Sequence, residues 1–374
     1  MLKKKVALLA TAAVAALLVG TTGPAAQAAL KPDFKAVVGD ECLRVGKKAA
    51  GRGVNGTDLT CTKVTTGSYA GTLRWWYPEV KPFGSLEWVA SSNIGGGYGT
   101  TAIAIGDAMK KEGLLKDYTV TYRSNAPLGL GYFYDQKGRN DLLLITGFAM
   151  PGGLATNGSK LSITTAKAVA GVMREAEAFV VPTGSKYRTI GDLLADIKAN
   201  PKAVAIGGGN YGGVDHVTVA TLAATAGVKA TDLNYIPYSG GGSLVPDVIG
   251  GRVAVGIAGT SEFASYVAAG KMRTLAVTSP KPLKAIKGKT LVQQGVNLTF
   301  GNWRGILAPA DLSAADYLNT LKVIDILHSS PSWKDTLVAK SWIDEYRSGD
   351  AFQKWIKQEN TDIINVLTDF KLVK

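Results

Sequence analysis

The amino-acid sequence predicts a two-lobed α/β protein with mainly parallel sheets, preceded by a small β-rich cap. Three observations lead to this fold class. Predicted strands alternate with helices along most of the chain, a unit of strand, glycine-rich loop and helix occurs twice, and a short apolar strand stands on either side of the second unit. The 374 residues also exceed the usual size of one domain, which favours two lobes.

The chain begins with a segment typical of a secretory signal peptide. Lysines at positions 3–5 precede an apolar run over residues 6–20, and small residues follow as far as Ala29. The run is shorter than the roughly 18 residues that a membrane-spanning helix needs. We expect cleavage near Ala28 and an exported protein with no membrane span of its own, which is extracellular, associated with the cell wall or periplasmic.

Charge and residue types exclude several classes of function. The formal charge is +13, or 13 − 3 = +10 without the three lysines of the signal segment. Lys and Arg are scattered along the chain and do not form the basic stripe of a nucleic-acid-binding protein, so we expect no nucleic-acid partner. The sequence has two histidines and no motif for a catalytic nucleophile or a metal. We therefore predict no catalytic activity, no metal and no cofactor.

The two cysteines of the sequence, Cys42 and Cys61, lie in the predicted cap. Alternating residues from Thr62 to Trp76 indicate strands beside them. A β-rich cap of this size buries little apolar surface and needs a covalent staple, and an exported protein can form one. We predict that the cysteines form a disulfide. The alternative, a metal site, lacks further thiols or nearby histidines.

Each glycine-rich loop leads directly into a predicted helix. The first loop begins at Gly95, and the second follows a strand over residues 203–206. A helix that starts in this way presents unpaired backbone N–H groups and the positive end of its dipole, which together bind a carboxylate or phosphate. We predict ligand-binding residues in both loops, after the next strand and at the return to the first lobe. They are Gly96, Gly97, Tyr98, Gly99, Thr100, Thr101, Gly209, Asn210, Tyr211, Gly212, Gly213, Val214, Asp215, Tyr238, Ser239, Gly240 and Trp303.

The aromatic residues among these candidates have two interpretations. Tyr98 and Tyr211 occupy matching places in the two loops and could form walls over the aliphatic part of a ligand, or could pack in the core. Trp303 could line the cleft or pack beside the chain crossing. For His216 we favour a structural role that ties the second loop together.

Gly207, Gly209 and Gly212 also match the G-x-G-x-x-G pattern of dinucleotide-binding folds. That fold requires a carboxylate at the end of the following strand, and the strand that ends at Tyr238 has none there. The pattern leaves an enzyme acting on nucleotide or acyl substrates as a third hypothesis.

A series of motifs follows in order from about Trp88 to the C-terminus. They are residues 95–97, residues 208–213 with His216, residues 237–242, residues 250–253, residues 270–278, Thr290 with Gln294 and Gly295, and residues 303–309. In these motifs the chain resembles the extracytoplasmic substrate-binding proteins of tripartite tricarboxylate transporters, with an extra N-terminal disulfide module. The resemblance implies a periplasmic-binding-protein fold of the type II, Venus-flytrap kind. It also implies a cleft that holds a mono-, di- or tricarboxylate mainly through backbone amides.

The resemblance implies a solute-binding protein that delivers a small carboxylate to membrane permease subunits of the same system, and we expect it to be a monomer. A ligand-binding sensor or scavenger that feeds a signalling partner is the alternative. Family members commonly carry an aspartate after the first glycine loop, where this chain has Gly99, Thr100 and Thr101, and this difference favours a plain carboxylate ligand.

The same pattern divides the chain into segments. We expect the signal peptide at residues 1–28, the cap at 29–80, the first lobe at 81–181 and 301–374, and the second lobe at 182–300. The hinge strands are expected at residues 179–182 and 303–307.

Overall fold

The computed structural model describes residues 36–238 and 241–373. The predicted signal peptide and the candidates Ser239 and Gly240 lie outside the described residues. Within the described ranges, no helix combines the length and the apolar character needed to cross a membrane.

The cap is a three-stranded antiparallel sheet closed by a disulfide. Its strands are β1 (Lys48–Ala49), β2 (Leu59–Lys63) and β3 (Leu73–Trp76), in the order β1-β2-β3. Cys42 and Cys61 are bonded as predicted. Leu59, Cys61 and Trp75 are buried in the same hydrophobic core as the first lobe, so the cap shares that lobe's core.

Hydrogen bonds also join the cap to the first lobe. The Tyr77 hydroxyl donates to Asp325 Oδ2 at 2.6 Å and accepts from the Val54 N–H at 2.8 Å. Glu112 accepts from the backbone N–H of Ser68 at 2.8 Å. Because these bonds are buried or partly buried, moving the cap would leave several polar groups without partners.

The first lobe is built on a six-stranded mixed sheet in the order β14-β7-β13-β6-β4-β5. Its strands are β4 (Phe83–Ala90), β5 (Leu115–Tyr122), β6 (Leu142–Gly147), β7 (Lys167–Glu175), β13 (Asn302–Ala308) and β14 (Arg347–Ser348). Its helices are α1 (Gly97–Lys111), α2 (Ala126–Asp135), α3 (Ala149–Thr156), α8 (Ala314–Ser329), α9 (Pro331–Lys340) and α10 (Gly349–Asp369). Helices α8 and α10 pack on β7, as expected for a C-terminal tail that returns to the first lobe.

The second lobe is built on a five-stranded mixed sheet in the order β10-β9-β11-β8-β12. Its strands are β8 (Glu177–Pro182), β9 (Ala205–Gly208), β10 (Asn234–Pro237), β11 (Val255–Gly259) and β12 (Met272–Val277). Its helices are α4 (Ile190–Ala199), α5 (Val214–Thr225), α6 (Gly241–Ile249) and α7 (Thr260–Ala268). A capping box between Thr189 and Asp192 fixes the start of α4.

The chain passes from the first sheet to the second at Ala176, between β7 and β8. This crossing precedes the expected boundary at residue 181, because all of β8 pairs within the second sheet. The return runs from the end of β12 to the start of β13. Strand β8 lies antiparallel to β11 and β12, and β13 lies antiparallel to β6 and β7. The sheets are therefore mixed, whereas we expected mainly parallel ones, because the crossing strands run against their neighbours.

The two lobes touch where the second glycine loop meets α3. A side chain at Gly152 would begin 2.6 Å from the carbonyl oxygen of Gly212, so the backbones are in close contact there. Val214 and Val217 at the start of α5 are buried in the core of the first lobe. These contacts hold the start of α5 close to the chain crossing.

Replacing both cysteines, Cys42→Ala with Cys61→Ala, should lower the free energy of unfolding by roughly 3 kcal/mol. The disulfide joins residues 19 apart in sequence and so restricts a loop of that size in the unfolded chain. Urea unfolding of both proteins, monitored by tryptophan fluorescence, measures the change. Dithiothreitol should destabilise the wild type and leave the double variant unaffected. Equal unfolding midpoints for the two oxidised proteins would contradict a stabilising role.

Candidate functional site

The first glycine loop presents the start of α1 to the cleft side of the first lobe. Gly95 has φ +84°, a backbone conformation that favours glycine, and Gly96 caps the helix. The first N–H groups of the helix, including those of Gly97 and Tyr98, have no acceptor within the helix. The hydroxyls of Thr100 and Thr101 instead donate back to the carbonyls of Gly96 and Gly97. Backbone amides are therefore the donors that this helix start offers.

A buried arginine lies beside this helix start. Arg304 is 9% exposed, and its Nη2 lies 2.7 Å from the position that a Cβ at Gly97 would occupy. Its guanidinium stacks on the ring of Tyr98, with Cζ 4.6 Å from the ring centroid. Arg304 also donates to Asn302 Oδ1. A full positive charge thus adds to the helix dipole at the place where we expected amides alone to attract an anion.

The second glycine loop is organised differently, because two of its amides donate to side chains at the start of α5. The Gly209 N–H donates to Asp215 Oδ2 at 2.6 Å, and the Gly212 N–H donates to His216 Nδ1 at 3.1 Å. The Gly213 N–H donates to the Asn210 carbonyl at 2.9 Å. We expected this loop to offer amides to an anion as the first loop does. In the structure Asp215 also places a carboxyl at the helix start, and the ligand-binding role of this loop stays a prediction.

His216 has the structural role that we favoured for it. It is 2% exposed, and its ring stacks on Tyr235 with centroids 4.2 Å apart. Burial lowers the pKa of His216 to about 4, which keeps the ring neutral. The neutral ring accepts the Gly212 N–H and holds the second loop in place.

The chain crossing adds more acidic groups to the same region. Glu175 and Glu177 stand on either side of Ala176. Glu175 accepts from the backbone N–H of Ser261 at 3.0 Å, and Glu262 accepts from the Gly241 N–H at 2.6 Å. Glu177 is fully buried, and its carboxyl interacts with the Asp215 carboxyl through a side-chain hydrogen bond.

These carboxyls affect one another. Burial raises the pKa of Glu177 well above its usual range, and the nearby Asp215 carboxyl raises it further. Burial raises the pKa of Asp215 to about 6, against the effect of the Gly209 hydrogen bond. Glu262 has a pKa raised to about 7 by desolvation and by the Asp215 charge. The positive charge of Arg304 lowers the pKa values of Asp215 and Glu262, against the effect of burial. Arg304 of the first lobe therefore acts electrostatically on carboxyls of the second lobe.

The aromatic candidates lie in different environments. Tyr98 is buried against Arg304, and its hydroxyl has no partner in the described part of the chain. Tyr211 is 56% exposed and donates to the Tyr235 carbonyl. The Tyr238 hydroxyl donates to Asp247 at 2.6 Å.

Trp303 packs against Phe352 and Trp355 of α10 in the core of the first lobe. This position corresponds to the packing alternative and not to a residue lining the cleft. Because neighbouring residues of a strand point to opposite faces, Arg304 faces the cleft while Trp303 faces α10.

Sequence reasoning missed Arg304, Glu175, Glu177 and Glu262 as site residues. A signal for the first three was present. Arg304 interrupts an otherwise apolar strand next to Trp303, and two glutamates flank the point where the chain leaves the first lobe. Charged residues in a segment that must be buried indicate a functional or paired role. The sequence around Glu262 gives no such signal. Glu262 lies in the first turn of α7, and only the folded second lobe brings this turn close to the other acidic residues.

The ligand-free protein should become less stable as the pH rises from about 6.5 to about 8. A carboxyl whose pKa is raised by folding stabilises the folded state while it is protonated, and that contribution is lost as the pH rises through the folded pKa. Glu177 and Glu262 act in this direction. His216, whose pKa is lowered, acts in the opposite direction only below its ordinary value of 6.5. Thermal unfolding at a series of pH values measures the trend.

Glu177→Gln should reduce this decline and raise the melting temperature at pH 8, because an amide carries no charge to bury. Asp117→Asn is the control, since Asp117 is an exposed partner of Lys110 and should change the trend little. A wild-type melting temperature that rises between about pH 6.5 and 8 would contradict the account of these carboxyls.

Comparison with known proteins finds curated relatives of part of the chain. The chain is 30% identical over 131 residues to a curated relative from Cupriavidus necator, "UPF0065 protein in gbd 5'region", a match that covers 35% of this chain and 39% of the relative. A second relative, "UPF0065 protein in tcbD-tcbE intergenic region" from Pseudomonas sp. strain P51, is 34% identical over 133 residues, covering 35% and 39%. The chain therefore matches less than half the length of these relatives.

Solved structures share the fold. A TctC solute-binding protein from Polaromonas superimposes with a TM-score of 0.61 at 20% identity, covering 78% of this chain and 99% of that one. Rpa4515 of R. palustris, solved with adipate, superimposes with a TM-score of 0.65 at 20% identity, and the match covers 78% of this chain and 98% of that one. MatC from Rhodopseudomonas palustris, solved with malate, superimposes with a TM-score of 0.63 at 14% identity, and the match covers 77% of this chain and 100% of that one. The fold is thus the two-lobed periplasmic-binding-protein fold.

The family described as "Tripartite tricarboxylate transporter family receptor" (TctC) matches residues 157–358, which is more than half of the chain. The matched segment contains the chain crossing, the second lobe and Arg304. Its members are solute receptors and not enzymes, which agrees with the prediction of no catalytic activity. The chain belongs to the TctC family of tripartite tricarboxylate transporter receptors.

Proposed function

We propose that this protein captures a small carboxylate in the cleft between its lobes and delivers it to membrane permease subunits of the same transport system. The observation that carries the proposal is the position of Arg304 beside the start of α1. Among the described residues, no carboxylate lies within 4.0 Å of this guanidinium to form an ion pair. A buried cation that has no ion-pair partner is a natural partner for a ligand anion.

The donors at this place suit a carboxylate. Arginine presents a planar fork of N–H groups that can bind both oxygens of one carboxylate. The N–H groups of Gly97 and Tyr98 approach from the helix start, where the dipole also favours negative charge. Gly97 must be glycine here, because a side chain would occupy the space of the guanidinium. The Ser92 hydroxyl, buried beside Gly96 without a partner among the described residues, is a further donor.

The neighbours support the same class of ligand. Two structures with this fold were solved with malate and with adipate, both of which are carboxylates. Membership of a transporter receptor family supports delivery to a permease and an exported location, extracellular, at the cell wall or periplasmic. We propose that the protein acts as a monomer that closes on its ligand by rotation about the crossings at Ala176 and before β13.

Isothermal titration against a panel of mono-, di- and tricarboxylates tests the proposal. At least one carboxylate should bind, and Arg304→Gln should weaken it by about 10- to 100-fold, since hydrogen bonds to charged groups contribute about 1.5–3 kcal/mol. Arg304→Lys keeps the charge without the fork and should give an intermediate affinity. Arg188→Gln changes an exposed arginine of the second lobe and is the matched control.

Circular dichroism and melting temperatures of each variant separate a loss of binding from a loss of folding. The proposal fails if no carboxylate binds or raises the melting temperature. It also fails if Arg304→Gln, while folded, binds the carboxylate as tightly as the wild type.

A further inference from the structure

The most exposed large apolar side chain of the described residues lies in the cap, on the turn between Cys42 and β1. Leu43 is 98% exposed, and Val45, two positions further on, is 64% exposed. Three of the eleven large apolar side chains that are exposed in the described part of the chain lie within residues 37–45. Single exposed apolar residues are common on protein surfaces, but their concentration in one short segment indicates an interaction site.

The backbone holds this segment in one conformation. Residues 44–47 form a tight turn, closed by a hydrogen bond of 3.1 Å from the N–H of its last residue to the carbonyl of its first. Gly46 has φ +79°, which the third residue of a type II turn requires. Its N–H donates to the Cys61 carbonyl at 2.9 Å, and the cap disulfide closes the base of the turn. The apolar side chains are therefore presented to solvent on a fixed support.

Basic side chains surround the two apolar ones. We call residues 43–48 the basic turn, because the segment contains three cations and no acid, a charge of +3. Of the two acids that precede it, Asp40 and Glu41, the second pairs with Arg74 at 3.3 Å and does not offset this charge. The three cations are all exposed, and they are Arg44, Lys47 and Lys48.

An anionic lipid bilayer has both of the properties that the basic turn matches. Its headgroups attract Lys and Arg, and the acyl boundary beneath them accepts apolar side chains. An anionic polymer would also attract the cations, but it would leave Leu43 and Val45 in water. The combination of the two kinds of side chain therefore favours a membrane surface.

The cap joins the first lobe at the end of α1 that is remote from the cleft. Glu112, which ends this helix, accepts the Ser68 N–H of the cap at 2.8 Å, whereas the candidate ligand site lies at the helix start. The 15 residues of α1 separate its two ends by roughly 22 Å. Contact through the cap is therefore compatible with an open cleft.

We propose that the basic turn binds the surface of a bilayer that contains anionic lipids. Leu43 and Val45 insert at the acyl boundary, and the three cations lie against the lipid phosphates. Such contact holds the exported protein at a membrane surface while its cleft stays accessible. The inference does not depend on the identity of the cleft ligand.

Sedimentation with lipid vesicles tests the inference, using the exported chain freed of its signal segment. Vesicles of phosphatidylglycerol and phosphatidylcholine in equal parts should be bound about 10-fold or more tightly than vesicles of phosphatidylcholine alone. This binding should weaken as the NaCl concentration is raised from about 0.05 to about 0.5 M, because salt screens the attraction between the cations and the headgroups.

Two double variants separate the apolar contribution from the charged one. Leu43→Ser with Val45→Ser removes the apolar side chains, and Arg44→Gln with Lys48→Gln removes two of the cations. Each pair should weaken binding to the anionic vesicles by about 10-fold or more, since both contributions are needed for stable attachment.

Two further proteins serve as controls. Val292→Ser with Lys198→Gln removes an exposed valine and an exposed lysine of the second lobe, and it should bind the anionic vesicles like the wild type. Arg304→Gln changes the cleft and should also bind them like the wild type, so that this inference and the proposed function fail independently. Melting temperatures under oxidising conditions show whether each variant is folded.

Three results would overturn the inference. The first is the absence of binding to the anionic vesicles. The second is a folded Leu43 and Val45 variant that binds as tightly as the wild type, which would indicate a site for anions without insertion into a membrane. The third is an equal loss of binding in the second-lobe control, which would indicate attraction by the net charge of the whole protein.

Discussion

The electrostatics of the cleft depend on a carboxyl that is buried at the point where the chain passes from one lobe to the other. Glu177 begins the first strand of the second lobe, and the strand pairing on both sides leaves its side chain no access to solvent. Its backbone is held firmly, since its N–H donates to the Thr278 hydroxyl at 2.8 Å and its carbonyl accepts from the Thr278 N–H at 2.9 Å. The position of the carboxyl is therefore fixed by the sheet, whatever the ionisation of the group.

Because this group lies at the crossing, it stands where the lobes would rotate relative to each other. Residues near the crossing change their surroundings least when lobes rotate, so a group there keeps its place in open and closed forms alike. Arg304 occupies the corresponding place at the return crossing, near the start of β13. The cleft thus carries the Arg304 charge at its base, while Tyr211 and Glu262 reach the solvent at its edge.

Much of the fold could be predicted from local pattern. The glycine-rich loops, the disulfide between Cys42 and Cys61, and the packing of the C-terminal helices follow from chemistry read along the chain. The mixed character of the sheets did not follow, because local pattern does not show the direction of a strand such as β8. For a related reason the crossing was predicted too late in the sequence. The apolar run that begins with Phe179 was taken as the strand, whereas β8 begins at Glu177.

The site was harder to predict because it depends on which groups are already satisfied. Two glycine loops of similar sequence gave one expectation, but in the second loop the side chains of Asp215 and His216 accept the Gly209 and Gly212 N–H groups. Trp303 was predicted as a ligand-binding residue because it is aromatic, yet the alternation of side chains along β13 turns Arg304 to the cleft. The same alternation, applied to the sequence, could have indicated Arg304. The approach of Glu262 to the other acids required the fold itself.

The central claim is that the cleft holds a small carboxylate at the Arg304 guanidinium. The most direct measurement is the identification, by mass spectrometry, of the small molecule that the protein retains when it is purified under native conditions from the organism that produces it. The account predicts a compound that contains a carboxylate and that is lost from Arg304→Gln. A retained compound without a carboxylate would contradict it.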